Sequence, residues 1–152
     1  MARIMAIDYG NKRVGLAVTD PLQIIATALE TVHSKDVITY LQRYTQQEAV
    51  EAFVVGMPSR LDGTATHSTP HVKGFVKVLK KTFPSIPVHT HDERFTSKMA
   101  LQAMIAAGST KKDRQEKGNI DKVSAVILLQ SFIESEKNKI NMAERLPDDT
   151  QL

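Results

Sequence analysis

Two apolar runs near the start of the chain, Arg3 to Tyr9 (RIMAIDY) and Arg13 to Thr19 (RVGLAVT), are joined only by Gly10-Asn11-Lys12. Both read as short β-strands. A parallel crossover needs about a dozen residues, so this pair has to be antiparallel. Asp20-Pro21 marks another tight turn, and Ile24 to Val32 supplies a third strand by the same reasoning. The period then changes. Ser34 is a candidate N-cap ahead of Val37, Ile38, Leu41, Tyr44 and Thr45 at helical spacing. Ala52 to Met57 reads as a buried strand, and a polar loop from Ser59 to Ser68 leads to an amphipathic helix starting near Pro70. Val72, Phe75, Val76, Leu79 and Phe83 share one face of that helix, and Lys73, Lys77, Lys80 and Lys81 lie off it. Ile86 to His91 is a fifth strand, and Thr96 caps a short helix through Ala107. The polar segment 109–118 reads as mobile, and Asn119 caps a mostly apolar helix from Ile120 to about Glu136.

Three antiparallel strands followed by strand–helix–strand units predict an α/β three-layer sandwich, a mixed sheet with helices on both faces. The apolar first and fourth strands suit central positions covered on both sides. At 152 residues the chain is expected to be one domain over 1–138, with a flexible C-terminal tail over 139–152. It has no cysteine, which excludes a disulfide framework, a thiolate metal site and a cysteine nucleophile, and is compatible with a reducing cytosol. No stretch approaches the ~20 apolar residues of a membrane span, and MARIMAIDYG reaches the charged Asp8 too early for a signal peptide. A soluble cytoplasmic protein is therefore expected. Neither G-x-x-x-x-G-K-[ST] nor G-x-S-x-G occurs, which leaves a P-loop NTPase or a serine hydrolase without support.

Charge is unevenly spread. Residues 1–72 carry six Lys/Arg against seven Asp/Glu, whereas 73–122 carry eleven against five. A positive zone in a chain of net charge +3 points to a polyanion, nucleic acid being the commonest, or to a solvated helix surface. With 5% aromatic residues and no tryptophan, stacking of single-stranded bases is not the main binding mode expected.

Four acids fall at the ends of elements: Asp8 after the first strand, Asp92-Glu93 after the fifth, and Asp121 in the first turn of the last helix. If strands one and five run parallel, their C-terminal ends share a sheet edge. Carboxylates converging there suit Mg²⁺ or Mn²⁺, held about 3.5–4 Å apart for in-line phosphodiester hydrolysis. Each acid also has a plain role: Asp8 ending a strand, Asp121 complementing a helix dipole. Asp92 and Glu93, as neighbours on a strand, face opposite ways, so at most one joins a shared site. His89 and His91 share a strand face and read as packing or surface residues rather than metal ligands.

Four motifs stand in order from about residue 3 to 134. They are Asp8-x-Gly10-x-x-Arg13-x-Gly15-x-Ala17; Val55-Gly56-Met57-Pro58 with Gly63; Asp92-Glu93-Arg94-x-Thr96-Ser97-x-x-Ala100; and Ile120-Asp121 with Ala125 and Leu129-Gln130. In these the chain resembles the YqgF/RuvX family, described as pre-16S rRNA nucleases or Holliday junction resolvases. The resemblance implies a ribonuclease H-like fold, sheet order 3-2-1-4-5 with strand two antiparallel, in agreement with the element order above. It implies that Asp8, Glu93 and Asp121 form a catalytic triad binding Mg²⁺ or Mn²⁺, with Asp92 the substitute if the strand phase is reversed. In the related RuvC resolvases a further acid in the final helix completes the site; here that position is Ser124 or Ala125.

The function so implied is a metal-dependent endonuclease acting on structured nucleic acid, processing the 5′ end of pre-16S rRNA in ribosome biogenesis. The alternatives are a Holliday junction resolvase acting on DNA and a non-catalytic RNA-binding ribosome-assembly factor, the latter favoured by the missing acid. Precursor rRNA or branched DNA would be the partner of a monomer or weak homodimer. Arg13 reads as a phosphate clamp or as a partner of Asp20, and Arg94 as neutralising an unused carboxylate or contacting the scissile strand. Lys111, Lys112, Arg114 and Lys117 suit phosphate contacts.

Overall fold

The computed structural model describes residues 2–10, 12–57, 69–92 and 122–136. Strands β1 (Arg3–Tyr9) and β2 (Arg13–Thr19) pair antiparallel, with Met5 opposite Val18 and Asp8 opposite Gly15. The Gly10 amide closes their turn by donating to the Arg13 carbonyl at 3.0 Å. A Cβ on Gly10 would lie 2.7 Å from that oxygen, so only glycine fits without a shift of backbone. β3 (Ala26–His33) pairs antiparallel with β2. Then follow α1 (Val37–Gln47), β4 (Val50–Met57), α2 (Thr69–Thr82) and β5 (Val88–Asp92), and a helix over residues 122–136, α3.

The sheet order is β3-β2-β1-β4-β5, with β4 parallel to both β1 and β5. The expected mixed sheet is therefore present, with β1 and β4 central. One face packs Met5, Ile7, Phe53 and Val55 against α1 and α2 through Leu41, Val72, Phe75 and Leu79. The other packs Ala6, Ala17 and Val54 against Ala125, Leu128, Leu129 and Phe132 of α3. These α3 positions recur at i, i+3, i+4 and i+7, the spacing of one apolar helix stripe.

Three boundaries differ from the sequence reading, each for a local reason. Asp20 accepts the amides of Leu22, Ile24 and Ile25 at 3.1, 2.8 and 2.7 Å, so Ile24 and Ile25 belong to the turn and β3 starts at Ala26. The Ser34 amide is bonded to the Lys12 carbonyl, and the N-cap of α1 is Asp36, without a side-chain capping bond. The Ile86 amide turns back to the Phe83 carbonyl, which delays β5 to Val88. The turn after β2 leaves Leu22, Ile24 and Ile25 exposed.

Two ring contacts orient α2. Phe75 stacks on Tyr9 at the C-terminal end of β1 (centroids 4.3 Å, planes 12° apart), while Phe83 lies 5.2 Å from Phe53, nearer the start of β4. The helix therefore begins at the sheet's C-terminal edge and runs back along it. No helix among the described residues is long and apolar enough to cross a membrane. The expected helix 96–107, the loop 59–68, the segment 109–118 and the tail 139–152 lie outside the described residues.

Candidate active site

Asp8 sits one residue from the end of β1 and is partly buried. Side chains alternate across a strand, so Asp8 shares the face of Ile4 and Ala6, the face that α3 covers. Directly opposite on β2 is Gly15, whose own partner on β3 is Thr31. On the other side Ile7 is level with Val55, which sets Gly56 beside Asp8, and Gly56 pairs with His91. Thr31, Gly15, Asp8, Gly56 and His91 thus form one row across the sheet near its C-terminal edge. Asp8 is the only carboxylate in that row, and both its lateral neighbours lack a side chain.

His91 closes the row at β5. Its Nε2 lies 2.9 Å from Ser131 Oγ of α3, and its ring meets Phe132 edge-on, with centroids 6.0 Å apart. His89 packs on the same Phe132 ring at 5.4 Å. The H-x-H pair is accordingly engaged in packing and hydrogen bonding, as read from the sequence.

The phase of β5 fixes the facing of Asp92. Val88 packs against the α1/α2 core, so Asp92, four residues on, takes that face and is exposed there. Asp92 is turned to the side of the sheet opposite Asp8. Glu93 and Asp121, expected to complete the triad, lie outside the described residues, as do Arg94, Lys111, Lys112, Arg114 and Lys117. Among the described residues there is no cluster of three metal-ligating side chains, since Asp8 alone of the three acids is described. What is described fits a hard cation in its donor chemistry: a partly buried carboxylate near a strand end, an oxygen ligand of the kind Mg²⁺ takes.

Arg13 opens β2 beside His33, at the opposite end of the strand from Asp20. At about 3.3 Å per residue the two are some 20 Å apart, which removes the suggested pairing with Asp20. Asp20 instead serves its own turn. Bonding from the Ile25 amide holds its carboxyl below the usual 3.8; desolvation opposes this, and further bonds from the Ile24, Asp20 and Leu22 amides add to the lowering. Ser124 and Ala125, which stand where the additional acid would be, are both buried, and the Ser124 hydroxyl has no hydrogen-bond partner among the described residues. Gly15 and Gly56 stand in the sequence motifs, and pairing register brings them to Asp8; Ser131, which no motif marks, reaches His91 through helix packing.

Comparison with known proteins agrees with this fold. The family model described as RuvX, Holliday junction resolvase, matches residues 2–135. A protein of Amoebophilus asiaticus named "Putative pre-16S rRNA nuclease" is 52% identical over 137 residues, covering 90% of this chain and 97% of its own. One of Parabacteroides distasonis with the same name is 49% identical, covering 92% of this chain and 100% of its own. Among solved structures, RuvC of T. thermophilus in complex with a Holliday junction substrate superposes with a TM-score of 0.53 at 18% identity. It covers 90% of this chain and 96% of that one, a likeness of fold. With its ordered motifs, its sheet and its near full-length match, this chain belongs to the RuvX family.

Proposed function

We propose that this protein is a divalent-metal-dependent endonuclease that hydrolyses a phosphodiester bond in structured RNA, at the 5′ end of the small-subunit rRNA precursor. The observation that carries this reading is the placement of Asp8, on the α3 face near the C-terminal edge of the sheet, between Gly15 and Gly56. The names of the relatives, nearly half or more of whose residues this chain shares, support the substrate.

Asp8, Glu93 and Asp121 are the residues we assign to hold Mg²⁺ or Mn²⁺. Asp92 faces away from Asp8, and this favours Glu93 as the acid contributed from the end of β5. A cation held there supplies Lewis-acid stabilisation of the phosphoryl oxygens and lowers the pKa of an attacking water. The chain's own part is to fix its oxygens. The Asp8 backbone is held in a central strand, between Gly15 and Gly56.

The test uses purified protein and a precursor RNA carrying the 5′ extension. Cleavage with Mg²⁺ or Mn²⁺, lost on Asp8→Asn while RNA binding survives, is the expected result. Equal cleavage by the variant overturns the assignment. The family description favours junction DNA as a second substrate, and a four-way junction as competitor in the same assay ranks the two. Salt-sensitive RNA binding without cleavage by either protein would identify a binding factor that has kept the fold.

A further inference from the structure

We propose that α2 carries a second nucleic-acid contact, a lysine stripe that grips the phosphates of a double-helical arm flanking the cleaved bond. The proposal rests on the nuclease reading for the identity of the cut strand; the stripe itself stands on the features of α2.

Among its 14 residues α2 has no acid, and Lys73, Lys77, Lys80 and Lys81 are all exposed. At 100° per residue the four fall within an arc of about 100°, away from the buried face of Val72, Phe75, Val76 and Leu79. No ion pair among the described residues involves any of them, the bridge observed being Arg3 to Glu48. Ordinary solvated helices intersperse both signs, whereas here like charges stand at i, i+3 and i, i+4, an arrangement that weakens a helix. The helix dipole accounts for Lys80 and Lys81 in the last turn, but not for Lys73 and Lys77 further forward. An external polyanion resolves this repulsion.

The direction of α2 says where that polyanion lies. Phe75 stacks on Tyr9, the residue after Asp8, so the Lys73 end of the stripe is at the sheet edge that carries Asp8. The stripe then leads away for about 12 Å, from Lys73 to Lys81. Asp8 faces α3 and α2 covers the opposite face, so a ligand touching both must pass over the sheet edge. A wide duplex arm does this with two of its phosphate ridges. With lysines and no aromatic side chain on the exposed face of α2, the contact is ionic and blind to sequence.

The experiment measures binding of a duplex-armed RNA across a salt series in EDTA, where metal-dependent cleavage is off. The wild type is compared with Lys73→Gln/Lys77→Gln/Lys80→Gln/Lys81→Gln and with the corresponding four-arginine variant. At roughly 0.7–0.9 per neutralised phosphate, the slope of log K against log salt should fall by about 3 in the glutamine variant and hold in the arginine one. An unchanged slope in a glutamine variant with wild-type circular dichroism overturns the stripe. Lys73→Gln/Lys77→Gln, expected to lose about half as much, serves if the fourfold variant fails to fold. Loss of slope in a protein that never cleaves would retain the stripe and sink the nuclease reading. Cleavage that depends on Asp8, with the slope unaltered, would do the reverse.

Discussion

His91 Nε2 and Ser131 Oγ share a hydrogen bond of 2.9 Å that ties the end of β5 to α3. The two elements lead to two of the assigned metal-binding acids: Glu93 follows β5 by one residue, and Asp121 immediately precedes the described part of α3. The bond, with the Phe132 ring against both histidines, fixes β5 to α3, the two elements next to which the proposed cation site draws these acids. Ser131→Ala is expected to lower stability by about 0.5–1.5 kcal/mol, as for one hydrogen bond lost. The Mn²⁺ concentration giving half-maximal cleavage should rise several-fold, while the rate at saturating metal stays close to wild type. Metal titration with unaltered half-saturation would show that the bond holds structure only.

Asp92 and Asp8 face opposite sides of the sheet, and the proposed site therefore takes Glu93 rather than Asp92. Glu93→Gln should reduce cleavage by about a hundredfold or more, the scale of several kcal/mol of lost charge stabilisation. Asp92→Asn should stay within about threefold of wild type. Single-turnover rates for the two variants decide this, and the reverse ranking would mean that β5 ends in the other phase.

Gly74 lies on the exposed side of α2, and a Cβ there would meet nothing within 4 Å. Gly74→Ala removes backbone freedom from the unfolded chain without a clash, which should stabilise the protein by about 0.5–1 kcal/mol. The urea midpoint should shift upward accordingly; a downward shift would show an unseen contact at that position.

Asp20 gives a pH signature. Its folded pKa is lowered by the amides it accepts, so the charged form binds the turn better than the protonated one. The stabilisation is present above the ordinary value of 3.8 and fades as pH falls through the lower folded value. Asp20→Asn should therefore be less stable than wild type at neutral pH, with the gap closing as the pH is taken below 3.8. Urea unfolding at both pH values tests the sign, and a gap that widens in acid would contradict it.

The sense of the first strands was legible from Gly10-Asn11-Lys12 alone, because a short link permits one pairing geometry. The amphipathic spacing of α2 and the apolar stripe of α3 were legible for the same kind of reason, since helical periodicity is local. Errors fell where a side chain competes for backbone. Ile24 and Ile25 looked like strand until Asp20 took their amides, and Ser34 looked like a cap while its amide was bonded to Lys12.

Link lengths and hydrophobic period were enough to set the sense of the first strands, the layer architecture and the acids worth considering, since each depends on a few neighbouring residues; the strand order was what the family resemblance implied. Which way Asp92 faces, which glycines stand beside Asp8, and where the lysines of α2 begin came from the folded chain. Those relations are set by hydrogen-bond register across strands distant in sequence and by packing of Tyr9 on Phe75 and Ser131 on His91. A shift of one residue in register reverses every side chain on a strand, and no local pattern records that choice.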